Sequence, residues 1–279
     1  MHLGNGIWRR AAGCLAAAGA VLLLAGGAPR AETPSALELE YKAYFGGMHA
    51  LSFQARVGLG EADYRAQVRL GSDGLLAKLV DFSLDAEAAG VAGAGSLQPR
   101  RFNVSSQWRE NTERLVEITY AEQGAASLRV EPPAEEDDRD EVPAALRRDT
   151  LDPISAVLNH VRRLARSGSC KGEVAVFDGR RRYDVITHDL GETVLEASDV
   201  APYGGPAVRC GVTFRPIAGF WRSARAKRSD DAQVEVFLAP MTPSTPPVPV
   251  RIHAKSAFGA LRIHLVAARP AARGLRVQD

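Results

Sequence analysis

Beyond residue 31, the side chains with most chemical potential are His49, His160, His188, His253 and His264, together with Cys170 and Cys210. No two histidines stand in H-x-H or H-E-x-x-H spacing. The cysteines form neither a C-x-x-C redox pair nor part of a zinc ligand set, so no metal and no cofactor is expected. His188 beside Asp189 offers a base next to an orienting acid, but adjacent residues of a strand point to opposite faces. Ser155 lacks the G-x-S-x-G frame of a nucleophile elbow, and there is no glycine loop for phosphate. Asp178, Asp184 and Asp189 cluster near one hairpin. They would suit hydrolysis of an envelope polymer if Asp178 and Asp184 approached within a few ångströms and one pKa were raised. Turn geometry is the more ordinary reading of Asp178. No complete catalytic signature emerges, and a non-enzymatic protein is expected.

The first residues read as an address. Trp8-Arg9-Arg10 closes a positive region, Ala11 to Ala25 is apolar, and Gly26 to Ala31 offers small residues for cleavage. The reading is a signal peptide over residues 1–31, cut after Ala31, and one periplasmic β-rich domain over 32–279. The apolar run is short for a membrane span of about 20 residues, and no other segment could supply one. The 279-residue chain carries 35 basic and 33 acidic residues, net +2. Removing Arg9, Arg10 and Arg30 leaves 32 basic against 33 acidic, a balance near −1, which gives no electrostatic case for nucleic acid. Export also changes how the cysteines read. With Cys14 removed, Cys170 and Cys210 remain in an oxidising compartment, which favours one disulfide over two buried thiols.

The elements that must position these groups are mostly strands. Leu37, Leu39, Tyr41, Ala43 and Phe45 alternate with polar residues, as do Leu51 to Leu59, Tyr64 to Leu70, Val116 to Tyr120 and Leu128 to Val130. Residues 75–92 are ambiguous and are read as strand. After Cys170 the alternation resumes, with Asp178-Gly179 as a hairpin turn and further strands at Tyr183 to Thr187, Thr193 to Ala197, Val208 to Phe214, Gln233 to Ala239, Val248 to Ala254 and Ala260 to Ala267. One long helix interrupts the series. Asp152 is its N-cap and Pro153 its first residue. Ile154, Val157, Leu158, Val161 and Leu164 form its apolar stripe, and Arg162, Arg163 and Arg166 complement its dipole near the C-terminus. The acidic run within 131–148 reads as a solvated loop, as does the basic stretch Arg222 to Arg228. The spacing predicts an all-β protein with one long helix. Its curved antiparallel sheet would form an open barrel or β-spiral, with the helix packed against the concave face.

Three stretches resemble a known family. They are Leu151-Asp152-Pro153-Ile154-Ser155-Ala156, then Val176-Phe177-Asp178-Gly179-Arg180-Arg181-Arg182-Tyr183-Asp184, and Cys210 to Phe220 with Pro249 to Ile252. Together they resemble the exported bacterial family called domain of unknown function 3108, in which a D-P-[LI]-S-A helix precedes an F-D-G-x-x-x-Y hairpin. The resemblance spans roughly Leu37 to Leu265. It implies an all-β envelope protein similar in shape to EipB-type β-spirals or LolA/LolB-like open barrels, and it implies no known reaction. The expectation is a periplasmic protein that binds a hydrophobic or lipid-like ligand, or an envelope partner, and supports envelope integrity. A hydrolase of envelope polymers and a purely structural interaction module are the alternatives.

Overall fold

The computed structural model describes residues 36–271, apart from 61, 75, 79–80, 109–112, 122–123, 134–135, 137, 223–232, 243–244 and 257–258. The expected leader and most of the 222–228 basic stretch lie outside the described residues. Among the described residues, thirteen strands make one antiparallel sheet. The first seven are β1 (Ala36–Phe45), β2 (Met48–Leu59), β3 (Asp63–Ser72), β4 (Phe82–Ala92), β5 (Leu97–Trp108), β6 (Glu113–Ala121) and β7 (Gly124–Glu131). A long connection carries helix α1 (Pro153–Ser167). Then come β8 (Gly172–Phe177), β9 (Arg182–Leu195), β10 (Gly205–Ala218), β11 (Gln233–Pro240), β12 (Pro247–Ser256) and β13 (Gly259–Pro270). The strand order is β7-β6-β5-β4-β3-β2-β1-β13-β12-β11-β10-β9-β8, so two meanders join at the β1–β13 pair and the sheet stays open between β7 and β8. The expected all-β fold with one helix is the fold observed.

Local differences from the sequence expectation have physical reasons. Residues 76–78 form a 3-10 turn, and the strand of that region begins at Phe82. Residues 193–195 are not a separate strand but the end of the 14-residue β9. Gly191 (φ +87°) lets the chain pass a register shift there without turning. Strand β5 went unread because Arg100, Arg101 and Ser105 to Gln107 obscure its pattern, although Leu97 and Phe102 are buried.

The curve is filled in parts. Leu39, Tyr41, Phe237, Val250 and Leu265 pack together on the strands around the β1–β13 seam. On the other side, Tyr64, Phe102, Val116 and Ile118 take Phe177 of β8 and Ile154 and Leu158 of α1. The β8–β9 turn lies so close to this face that a Cβ on Gly179 (φ +91°) would stand 2.2 Å from Val116. Val161 and Leu164 pack against the Cys170–Cys210 disulfide, whose Cα atoms are 5.7 Å apart. The bond spans β9, since Cys170 precedes β8 and Cys210 lies on β10. Val157 departs from the expected stripe. It is 53% exposed because it lines the open space beside the helix instead of meeting the sheet.

The helix is seated by a buried polar chain. Asp152 caps it by accepting from the Ser155 backbone N–H (2.8 Å), and the Ser155 hydroxyl donates to its other oxygen (2.5 Å). That leaves the Ser155 Oγ to accept from Tyr64 on β3 (2.5 Å). Burial lifts the Asp152 carboxyl from an ordinary 3.8 to about 6, against the pull of its Ser155 bonds. At the other end Gly168 (φ +68°) closes the helix, its N–H donating to Leu164 O. Asn159 bonds both backbone groups of Leu97, and Arg162 and Arg166 donate to the carbonyls of Gly93, Ala94 and Gly95. These arginines anchor the helix to the β4–β5 loop as well as complementing its dipole. The acidic connection is likewise not simply solvated. Arg139 is buried against the Trp221 ring (4.2 Å), Val142 is in the core, and Asp140 pairs with Arg222 (3.0 Å).

Three outcomes follow. Leu164→Ala removes a side chain that is 4% exposed and should cost about 2–5 kcal/mol in urea unfolding, while Val157→Ala should stay within about 0.5 kcal/mol; equal costs would place the helix differently. Thiol titration of unfolded, unreduced protein should find no thiol from Cys170 or Cys210. Replacing both by Ala should cost about 4 kcal/mol on the loop-entropy account, and a stability unchanged within about 0.5 kcal/mol would contradict that account. A carboxyl with a raised folded pKa weakens the fold as pH rises from its unfolded value to its folded one, and changes nothing further above that. Asp152→Asn keeps the cap, so the variant should gain about 3 kcal/mol relative to wild type between about pH 4 and pH 6. Parallel stability curves across that range would show that Asp152 is not the buried acid described.

Candidate functional site

Register puts a continuous apolar wall on one face of the second meander. Val174 of β8 pairs with Val185 of β9, which pairs with Phe214 of β10; Thr187 pairs with Val212, Val212 with Val234 of β11, and Val236 with Ile252 of β12. Paired residues share a face, so these side chains point the same way. Helix α1 lies against this face without covering it. The space between is a cavity of about 920 Å³, within the usual size of a ligand site. Val174, Val185, Val212, Val234 and Ile252 are only half-buried, and Phe214 is exposed at the mouth. The helix contributes Ala156, His160 and Arg163, spaced i, i+4, i+7 and therefore on one face, together with Val157. Tyr120 of β6 and Tyr183 of β9 complete the lining near the helix start.

The apolar wall is bordered by polar groups, among them Arg100, Asp149, His160, Arg163 and Glu173. The Arg163 Nη2 donates to His160 Nδ1 (2.9 Å) and, more weakly, to Thr187 Oγ1 (3.4 Å). The imidazole proton therefore sits on Nε2, which is buried without a partner, as is Arg163 Nε. Burial, then the Arg163 charge, pull the His160 pKa from 6.5 to about 4, so the ring is neutral at physiological pH. One of its nitrogens and both disulfide sulfurs lie within 4.8 Å of one another. With the sulfurs bonded to each other, that trio is not a metal site. The Tyr120 hydroxyl is also buried without a partner, and burial raises its pKa.

The acids expected near one hairpin are not brought together in this cavity. Asp178 closes its turn, accepting from the backbone N–H of Arg180 and Arg181 and pairing with the Arg181 side chain. Asp184 pairs with Arg182 (2.6 Å) and Arg215 (2.6 Å). Burial works against its charge, but those two arginines outweigh it and hold the carboxyl below the usual range, the opposite of a raised general acid. Asp189 accepts from the Cys170 backbone and the Ser169 hydroxyl, and its pKa is lowered by them. His188 lies across Gly211, where a Cβ would meet the ring at 2.2 Å. Ser155, sealed between Asp152 and Tyr64, does not line the cavity. Asp152, Pro153, Asp178 and Gly179 thus have architectural roles. Reading the sequence missed Tyr120 and the inward turn of Arg163. The signal for Arg163 was its spacing from Ala156 and His160.

No helix among the described residues is long and apolar enough to cross a membrane. No curated protein matches the chain. Among solved structures, the crystal structure of a beta-barrel-like protein of domain of unknown function DUF1849 from Brucella abortus is similar over 84% of this chain and 97% of that one, at 10% identity and a TM-score of 0.45. Residues 40–266 match the family described as "Protein of unknown function (DUF3108)". With most of its length matched, including the D-P-I-S-A helix start and the F-D-G-R-R-R-Y hairpin, the chain belongs to that family.

Proposed function

We propose that this is a non-enzymatic protein of the bacterial envelope that holds an apolar or lipid-like ligand in the cavity between α1 and the second meander. The observation that carries the reading is the wall itself. Valines that could have been packed under the helix stay half-exposed around about 920 Å³ of space, and leaving such a surface wet is unfavourable unless something apolar covers it. The disulfide supports export to an oxidising compartment, and residues 1–31 supply the signal for it. Catalysis is given no role because the acids sit on arginines or a turn and the one serine of the family motif is sealed in the core.

Val212→Asp and Phe214→Asp each place a carboxylate on the cavity wall, where an unpaired charge opposes an apolar ligand. Each should weaken binding of the uncharged dye N-phenyl-1-naphthylamine at least about tenfold while circular dichroism stays native, and each should fail to restore detergent resistance to a deletion strain. A folded variant with undiminished dye binding would overturn the reading. Asp184→Ala and His188→Ala should complement the strain; loss of complementation by either, with fold and abundance intact, would favour the hydrolase.

A further inference from the structure

Arg163 is a cation on the cavity wall that no acid pairs with directly: Asp149 and Glu173 also line the cavity, but Glu173 pairs with Arg215. Its Nη2 goes to two neutral acceptors, and no Asp or Glu among the described residues lies within 4.0 Å of the guanidinium. Arg166 spends both terminal nitrogens on the carbonyls of Ala94 and Gly95. Arg163 Nε has no partner. A guanidinium keeps its proton in proteins, so the charge is permanent. The fold makes room for it: a Cβ on Gly172 would stand 2.3 Å from Arg163 Cζ. Two further donors on the same cavity are unpartnered, His160 Nε2–H and the hydroxyl of Tyr120, a residue only 5% exposed. Buried donors are almost always satisfied, and here a fixed cation and these donors are met by no carboxylate among the described residues.

We propose that the cavity takes an anionic single-chain amphiphile, with its carboxylate or phosphate head received by Arg163 and its chain laid along the Val212–Phe214 wall. This rests on the apolar-ligand reading above and adds the head group to it. Guanidinium suits either oxyanion, because its planar fork donates two parallel hydrogen bonds to neighbouring oxygens. An uncharged chain would leave the cation unmet, and a second acyl chain would have to share the same about 920 Å³.

The test displaces N-phenyl-1-naphthylamine from full-length protein with dodecanoate, dodecyl phosphate or dodecanol, chains of one length that differ in the head. Either anion should displace the dye at about tenfold lower concentration than dodecanol, and the better anion identifies the head. Arg163→Gln should abolish that preference, bringing the anions level with dodecanol on the same variant. Arg163→Lys should keep part of it, and Gly172→Ala, which pushes the guanidinium aside, should lose it with α1 intact by circular dichroism. If dodecanol matches the anions on wild type, or the preference survives in Arg163→Gln, the head assignment fails while the apolar site stands. If neither the dye nor any of the three chains binds, both readings fall together.

Discussion

A sheet that curves through thirteen strands without closing has two free edges and a concave face too wide for its own side chains. The rest of the molecule answers that constraint, largely through the single connection between β7 and β8. Leu151 adds a short parallel rung to β8, its N–H donating to Ala175 O and its carbonyl accepting from Phe177 N. Arg180 reaches back to the carbonyls at the end of β7. The helix then lies in the trough, fixed at one end by the Tyr64–Ser155–Asp152 chain and at the other by arginine bonds to the 93–95 loop. These attachments tie the connection to β8, to β3, to the β4–β5 loop and to the β8–β9 turn, so the open sheet is held in shape from inside.

The same constraint explains why the interior is divided. Where β8 and α1 fill the first meander, large side chains meet and are buried. Around the β1–β13 seam, tyrosine, phenylalanine and leucine from the strands themselves make the core, without the helix. Between these regions one helix is too narrow for the wall opposite it, and a cavity remains. The disulfide stands at its margin, locking the β8–β10 end against the helix.

Most of the fold was legible because its signals are local. Period-two alternation marks strands whatever the neighbours are, and Asp152-Pro153 and Ser167-Gly168 mark the ends of α1 by backbone chemistry alone. The site was legible only in outline. Whether Val157 is core or cavity depends on the width of a curve assembled from residues far along the chain. Arg163 looks like any cation in a last helical turn until β8 and Thr187 are set beside it. Asp184 reads as a candidate acid until its cross-strand partner proves to be Arg215, a pairing fixed by register. Strand β5 carries two adjacent arginines over buried Leu97 and Phe102, so its pattern appears only once the sheet is seen.

The β1–β13 pair carries a different consequence. Every other rung of the sheet joins strands that follow one another in sequence, whereas this one joins Leu37 to Pro270 and Phe45 to Leu261. Each meander is therefore a low-contact-order unit able to form early from local hairpins, and the barrier belongs to knitting them at a single seam. A chain emerging in order from its N-terminal side must hold the free edge of β1 unpaired until the final strand arrives. The last described residues also lie beside the first, with Ala271 donating to Ala36. A circular permutation that joins these ends and opens the connection after β7 would turn the slow seam into a hairpin and leave every strand neighbour in place.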